Sequence, residues 1–154
     1  MTIYTIGHST RTLKQLIGLL REHQIELLAD VRAFPSSARY PHFNKEVLSQ
    51  RLPEAGISYR WLGKVLGGYR KKENPNSPHS ALRSPGFRNY ADHMATPEFG
   101  EGIEELTNLA GKKRARIGHV AVMCAERLWW RCHRSLVSDY LSACCGVEVL
   151  HIVE

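Results

Sequence analysis

No apolar run in the 154-residue chain approaches the roughly 18 residues that a membrane-spanning helix requires. The amino terminus also lacks the basic segment that opens a signal peptide, and its first residues, Met-Thr-Ile-Tyr-Thr-Ile-Gly, have the pattern of a strand. These two absences predict a cytoplasmic protein with no membrane partner.

Cysteine is scarce as well, with four residues, and the chain is neither short nor rich in loops, as a secreted disulfide framework would be. We expect all four thiols to be reduced, and we expect the adjacent Cys144 and Cys145 to be small packing residues near a helix end. A hydrophobic content of 43% and a charged content of 23% are typical of a globular protein. Length and composition together predict a single domain over residues 1–154.

Motifs that would identify a chemistry outright are missing. No Gly-x-Gly-x-x-Gly follows the first apolar segment, and no Gly-x4-Gly-Lys-Ser/Thr occurs, so neither a dinucleotide site nor a Walker-type site is predicted. Between Cys124 and Arg131 lies one residue too many for the phosphate cradle of cysteine-dependent phosphatases. The sequence therefore specifies neither a cofactor nor an oligomeric state.

The order of the apolar segments predicts the fold. Strand-like segments alternate with stretches whose apolar residues repeat at helical spacing. The strands are expected at residues 2–7, 25–31, 57–61, 117–123 and 147–152. Because a strand, a helix and a second strand in succession are typical of a parallel sheet, we predict an α/β fold. The expected architecture is a single three-layer domain with a mostly parallel sheet of about five strands flanked by helices.

Capping signals mark the helix boundaries. The predicted helix starts are Thr12 with Gln15 as a capping box, Asn44, Ser84-Pro85 and Thr96-Pro97. A last amphipathic helix is predicted over residues 132–145. Residues 63–85 have no regular apolar period and are predicted to be a long loop, a kind of segment that usually carries function.

Positive charge is concentrated in two segments. The net charge is +6, and from Arg60 to Arg88 the basic residues far outnumber the single acid, Glu73. A second cluster, Lys112, Lys113, Arg114 and Arg116, precedes the fourth strand. Clustered positive charge favours polyanions through counterion release, so we expect an anionic or phosphorylated ligand, with nucleic acid as one candidate. The alternative is a solvated basic surface without a partner.

Polar and reactive residues cluster where three predicted strands end. They are His8 and Ser9 after the first strand, Asp30 and Arg32 after the second, and Cys124, Glu126, Cys132, His133 and Arg134 after the fourth. The carboxyl ends of parallel strands meet at one edge of the sheet, and open α/β sheets bind their ligands there. The sequence therefore predicts one pocket at this edge.

We assign two groups of residues to the predicted pocket. The predicted catalytic residues are His8, Asp30, Glu126, Cys132 and His133. The predicted substrate-binding residues are Ser9, Arg32, Arg70, Arg88, Cys124 and Arg134. Arginine side chains fork onto phosphate or carboxylate oxygens, and a helix start beside Cys132 favours its thiolate. Glu126 and His133 are the expected acid–base pair.

Each of these residues also has a structural alternative. In that interpretation His8 caps a helix, and Asp30 pairs with Arg32. Cys132 packs beneath its helix, and Glu126 bridges to an arginine.

Two further chemistries use the same cysteines. A zinc site made of Cys124, Cys132 and His133 needs a fourth ligand, and its spacing matches no closed structural zinc pattern. A redox pair of Cys124 and Cys132 requires the two sulfurs to come within bonding distance, and it lacks the Cys-x-x-Cys spacing. We predict no bound metal.

Several motifs occur together in a recognisable order. They are Tyr4-Thr-Ile-Gly-His-Ser9, Asp30-Val-Arg32 with Pro35, Leu66-Gly-Gly68 with Arg70, Phe87-Arg88 with Tyr90, Met123-Cys-Ala-Glu126 and Cys132-His-Arg134. Over essentially the whole chain this pattern resembles the family catalogued as domain of unknown function 488. The resemblance implies a small cytoplasmic prokaryotic α/β domain and brings no established reaction. The chain departs from the family at Arg127-Leu-Trp-Trp-Arg131, where relatives often have a turn that contains proline.

Charge and the strand-end residues together favour an enzyme that acts on a nucleotide or nucleic-acid substrate. One alternative is a non-catalytic module that binds nucleic acid or another anionic ligand. The other is an enzyme that acts on a small anionic metabolite. The first alternative explains the basic segments equally well, but it gives no reason for a thiol, a carboxylate and an imidazole to meet beside arginines.

Overall fold

A computed structural model of the protein describes residues 1–68, 70, 77–79, 82, 84–111 and 118–153. Within these residues five strands form one sheet in the order β3-β2-β4-β1-β5, and every neighbouring pair is parallel. The strands are β1 (Thr2–Gly7), β2 (Ile25–Asp30), β3 (Ser58–Trp61), β4 (His119–Cys124) and β5 (Glu148–His151). The predicted α/β class is therefore confirmed. Although β2 follows β1 in the chain, β4 lies between them in the sheet.

Helices cover both faces of the sheet. The helices are α1 (Leu13–Glu22), α2 (Lys45–Glu54), α3 (Gly63–Leu66), α4 (Pro85–His93), α5 (Pro97–Ala110) and α6 (Arg134–Cys145), with 3-10 turns at Pro41–Phe43 and Trp129–Arg131. One apolar cluster joins the sheet to α1 and α2, and the other joins it to α3, α4, α5 and α6. This arrangement is the predicted three-layer domain.

The pleat of β4 determines the side to which its last side chain points. Successive side chains of a strand face opposite sides of the sheet. Val120, Val122 and Cys124 belong to the cluster under α3–α6, whereas Ala121 and Met123 belong to the cluster under α1 and α2. Cys124 therefore ends the central strand on the face that α6 covers.

Three of the predicted helix starts are capped as expected. Thr12 and Gln15 form the capping box, and the Ser84 and Thr96 hydroxyls each accept a backbone hydrogen bond from the third residue that follows. Asn44 precedes α2 as predicted, but its side chain does not cap the helix. Its amide oxygen instead accepts a hydrogen bond of 2.7 Å from the backbone of Ser37, which folds the loop after β2 back onto α2.

Two helical segments differ from the prediction, and four of the five strands have bounds that differ by one or two residues. The segment 63–85, which was predicted to be a loop, contains the short helix α3. The prediction missed this helix because four helical residues are too few to produce a recognisable apolar period. The last helix begins at Arg134 rather than at residue 132, and Cys132 has an extended backbone with φ of −129° and ψ of 156°. Cys132 therefore belongs to the loop between β4 and α6.

Part of the predicted basic surface lies outside the described residues. These basic positions are Lys71, Lys72, Arg83 and the cluster at 112–116. The acid Glu73 and the first residue of the predicted fourth strand, Ile117, also lie outside the described residues. Among the helices that are described, none combines the length and apolar character that crossing a bilayer demands.

Candidate active site

A cavity of about 420 Å³ opens at the carboxyl edge of the sheet. Side chains from the loops after β2 and β4 and from the first turn of α4 line it. Cys124, Cys132 and His133 lie together on one part of the wall. The other lining side chains that matter below are Phe34, Phe87, Glu126 and Arg131.

The loop that carries most of these residues is held against the end of β1. The backbone N–H groups of His8 and Ser9 donate to the carbonyls of Cys124 and Ala125, at 2.9 and 3.0 Å. A side chain at Gly7 would overlap the carbonyl of Glu126, so only glycine lets the two backbones approach this closely. The first strand thus positions the loop that follows the fourth.

Cys132 and His133 form a hydrogen-bonded pair. The Cys132 sulfur lies 3.2 Å from Nδ1 of His133, and Nε2 of the same ring lies 3.1 Å from the carbonyl oxygen of Val31. Because a carbonyl oxygen only accepts hydrogen bonds, Nε2 carries a proton and donates a hydrogen bond to the carbonyl of Val31. Nδ1 then faces the sulfur, where it accepts a proton from the thiol or, once protonated, donates to the thiolate. This is the geometry of a nucleophile beside a base that a third group orients.

Packing keeps the His133 ring in this orientation. The Tyr90 ring packs against it at a centroid distance of 5.1 Å, and the Tyr90 hydroxyl donates to the carbonyl of Leu66 at 2.8 Å. A side chain at Gly68 would overlap Nδ1 of His133. Gly68 therefore leaves the space that this orientation of the imidazole needs.

The two cysteines of the cavity have opposite pKa shifts. A hydrogen bond from the Cys124 thiol is the largest cause that lowers the pKa of Cys132, and His133 and the backbone N–H of Arg134 act in the same direction against burial. That hydrogen bond, together with burial and the charge of Cys132, raises the pKa of Cys124. These opposite shifts favour the thiolate at Cys132 and the protonated thiol at Cys124.

Asp30 lies beneath the cavity and pairs with Arg32, which lines it. The carboxylate of Asp30 is fully buried and accepts from Nε and NH2 of Arg32, at 2.9 and 2.7 Å, and from the Tyr59 hydroxyl at 2.6 Å. Burial alone would lower the pKa of Arg32, but the hydrogen bonds and charge of Asp30 outweigh it and raise that pKa. Arg32 also donates to the carbonyl of Phe43. These contacts favour the structural alternative for both residues over the predicted catalytic and binding roles.

His8 is buried and does not line the cavity. Its ring stacks on Phe43 at 4.4 Å, Nδ1 contacts the carbonyl of Ser9 at 2.9 Å, and Nε2 faces NH1 of Arg32 at 3.4 Å. Burial, followed by the charge of Arg32, lowers the pKa of His8 from 6.5 to about 4. A neutral ring fits these contacts, because Nδ1 then donates to Ser9 and Nε2 accepts from Arg32.

The free energy of unfolding should therefore decrease as the pH is lowered below neutrality. Between pH 6.5 and about 4 the unfolded chain protonates His8 and the folded chain does not. The resulting loss of unfolding free energy across this window is about 3 kcal/mol, and it is absent above the window. Urea unfolding followed at a series of pH values measures it. In His8→Asn the slope between these pH values should become shallower, and an unchanged slope would contradict the assignment.

Arg134 is a buried cation whose polar contacts are with neutral groups. Its guanidinium donates to the Thr5 hydroxyl at 3.1 Å and to the carbonyls of Glu126 and Arg127, at 3.0 and 3.2 Å. Its side chain is 1% exposed, and its Nε has no hydrogen-bond partner. Among the ion pairs of the described residues none involves Arg134. Arg134 thus shapes the loop from inside rather than facing a ligand.

The remaining predicted residues have different surroundings. Glu126 is exposed at the cavity, and its carboxylate accepts from the backbone of Leu128 at 3.2 Å. Arg70 donates to two carbonyls of the α3 region, and Arg88 donates to the carbonyl of Leu82. Ser9 contributes its backbone to the loop contact and has a positive φ of 51°. Of the predicted site residues, Arg32, Cys124, Glu126, Cys132 and His133 line the cavity.

Sequence reasoning missed the lining side chains Phe34, Phe87 and Arg131. Arg131 is exposed and follows two tryptophans in a 3-10 turn. In the sequence, its position in an arginine-rich run was the signal for a binding residue. Phe34 is 70% exposed, and its place two residues after Arg32 at a strand end was the corresponding clue.

A protein-family comparison finds a match to the Domain of unknown function DUF488 over residues 12–141, which is most of the chain. The chain belongs to the DUF488 family. A comparison with curated proteins gives no match, and neither does one with solved structures.

The segment 127–131 of this DUF488 protein lies beside the cavity. Trp129–Arg131, the last three residues of this segment, form the 3-10 turn. The Trp129 ring lies parallel to that of His151 at 4.1 Å and covers the edge strand β5. Trp130 is half exposed. Within the described portion of the DUF488 chain, no group of three or more His, Cys, Asp or Glu side chains is arranged to hold a metal ion.

Proposed function

We propose that this DUF488 protein is an enzyme that acts on a nucleotide or nucleic-acid substrate, with Cys132 as its nucleophile. The observation that carries the proposal is the Cys132–His133 pair at the wall of an open cavity, with 3.2 Å between sulfur and Nδ1. A thiolate beside an oriented imidazole is the arrangement that activates cysteine for covalent catalysis. A cytoplasmic location belongs to this proposal, because all four cysteines are free thiols.

The residues of the pair have separate tasks. The Cys132 thiolate attacks an electrophilic centre of the substrate, a bond from the sulfur to that centre forms, and the bond from the centre to the leaving group breaks. His133 holds the proton at Nδ1 and delivers it to the leaving group, since its other nitrogen is committed to Val31. Glu126, at the cavity and exposed, is the available second acid–base group.

The rest of the lining favours a ligand with a flat apolar part and an anionic part. Phe34 and Phe87 present aromatic surface on which a base stacks, and Arg131 offers an exposed guanidinium that forks onto phosphate. The guanidinium groups of Arg32 and Arg134 are occupied by protein acceptors. Arg131 therefore takes over the phosphate-binding role that the sequence suggested for those two residues.

Alkylation of Cys132 by iodoacetamide tests the nucleophile. The rate should be nearly constant from about pH 6 upward, because the thiolate is already formed, whereas an ordinary thiol gains about tenfold per pH unit below its pKa. The background is a Cys144→Ser/Cys145→Ser variant, since both of those cysteines are exposed. Mass spectrometry should locate the adduct at Cys132, and Cys132→Ser should abolish it. A rate that rises through pH 8 would contradict a thiolate at this position.

The substrate class is tested by protection of the same thiol. Nucleoside monophosphates and short oligonucleotides should slow the alkylation of Cys132, and Arg131→Gln should weaken this protection about tenfold because it removes a charge-assisted contact. Protection by small carboxylates or phosphate alone would favour an enzyme for a small anionic metabolite. Nucleotide binding with full alkylation of Cys132 would favour a module that binds without catalysis.

A further inference from the structure

Behind the nucleophile lies a second thiol that the proposed reaction does not use. Both Cys124 and Cys132 line the cavity and both are free thiols. Arg134 connects their surroundings, because its backbone N–H lies 3.5 Å from the Cys132 sulfur and its guanidinium donates to the Glu126 carbonyl that also accepts from the Cys124 thiol. Cys132 is partly exposed, whereas Cys124 is 1% exposed at the end of β4. An incoming molecule therefore reaches the Cys132 sulfur first, and the Cys124 sulfur lies deeper in the wall of the same cavity.

We propose that Cys132 and Cys124 are the attacking and the resolving thiol of a dithiol centre that reduces small-molecule disulfides in this cavity. The proposal rests on the proposed function in one respect, since it uses the same Cys132 nucleophile. It adds an activity, a substrate class and a role for Cys124.

Two exchange steps complete the reaction. In the first, the Cys132 thiolate attacks one sulfur of the substrate disulfide, a Cys132–substrate S–S bond forms, and the other half leaves as a thiolate. In the second, the Cys124 sulfur attacks Cys132, the Cys124–Cys132 bond forms, and the second half of the substrate leaves. That second leaving group takes up the proton from Cys124. The two protein thiols lose two electrons, and the substrate disulfide gains them.

The surroundings of Cys124 favour its activation after the first step. Two of the three causes that raise its pKa are the hydrogen bond to Cys132 and the charge of Cys132. Both causes vanish when the Cys132 sulfur becomes part of a mixed disulfide. The buried charge of Arg134 and a backbone hydrogen bond at Glu126 remain, and both lower the pKa of Cys124. The second thiol therefore becomes easier to ionise at the stage when it must attack.

The dithiol centre also accounts for the burial of the Arg134 guanidinium. Within the described residues its contacts are neutral acceptors, and its backbone N–H lies 3.5 Å from the Cys132 sulfur. A buried cation is costly unless a negative charge lies close to it. The negative charge of the thiol pair supplies that compensation, first on Cys132 and then on Cys124.

The test uses 2-hydroxyethyl disulfide on the Cys144→Ser/Cys145→Ser background. This protein should release two equivalents of mercaptoethanol and lose two hydrogen atoms in mass as the internal disulfide forms. Cys124→Ala should release half as much and keep one mercaptoethanol attached to Cys132. Cys132→Ser should release none. Cys124→Ser serves as a second variant if the alanine variant fails to fold, and dithiothreitol should restore both thiols of the background protein.

The outcomes separate this proposal from the preceding one. If the background protein stops at a stable mixed disulfide on Cys132, as Cys124→Ala is expected to do, the resolving role of Cys124 is overturned while the nucleophile stands. If Cys132 reacts with neither the disulfide nor iodoacetamide, the nucleophile itself is overturned. An internal disulfide without protection by nucleotides would support the dithiol centre and contradict the nucleotide substrate.

Discussion

Replacing Asp30 by asparagine should lower the free energy of unfolding by about 3 to 5 kcal/mol, the range found when one partner of a buried ion pair is removed. The Asp30 carboxylate is fully buried and accepts from Arg32 and Tyr59 at 2.6 to 2.9 Å. Asparagine removes the negative charge and points an amide donor at groups that are themselves donors. Arg32 is then left as a buried cation without its carboxylate.

The matched control is Glu105→Gln. Glu105 pairs with Arg60 at 2.8 Å, nearly the distance between Asp30 and Arg32, but both side chains of that pair are well exposed. An exposed pair contributes less than about 1 kcal/mol, so the control should unfold almost as the wild type does. Urea unfolding monitored by circular dichroism compares the two variants. Equal losses would mean that burial does not govern the Asp30–Arg32 pair.

The same variant separates the two interpretations of Asp30. A structural Asp30 predicts a large loss of stability, with alkylation of Cys132 unchanged at temperatures where the variant is folded. A catalytic Asp30 predicts the reverse, a stable protein with an altered cavity chemistry. The contacts of the carboxylate with Arg32 and Tyr59 favour the first result.

The second large effect is expected at Gly68. In Gly68→Ala the added methyl group would overlap Nδ1 of His133, which is the atom that faces the Cys132 sulfur. The imidazole must then turn or withdraw, and Cys132 loses one of the groups that lower its pKa. We expect the flat pH profile of alkylation to become one that rises with pH, and we expect nucleophilic turnover to fall at least tenfold.

The control for this substitution is another glycine of the cavity. A methyl group at Gly86 would meet only the Ser84 hydroxyl oxygen, at an ordinary contact distance of 3.6 Å. Gly86→Ala should therefore leave the alkylation profile of Cys132 unchanged. If Gly68→Ala behaves in the same way, His133 does not set the ionisation of Cys132.

The parallel sheet was predicted correctly because it depends on features that sequence patterns record well. The short-range signals of strands, caps and helices locate His8, Asp30 and Cys124 at strand ends, and parallel pairing brings those ends together. The roles of individual side chains are harder to predict, because a side chain at a strand end can face a ligand or another side chain. Asp30 and Arg32 bind each other, and His8 is stacked on Phe43.

By itself, the sequence determined the α/β class, the parallel sheet and the segments that meet at its carboxyl edge, since local periodicity and capping are properties of neighbouring residues. The tertiary structure alone decided which of the clustered groups lie at the cavity and which lie beneath it. Burial and hydrogen bonding depend on packing between distant segments, so only the folded chain pairs Cys132 with His133 and sets Cys124 behind it. The same packing occupies Arg32 and Arg134 and leaves Arg131 exposed at the cavity.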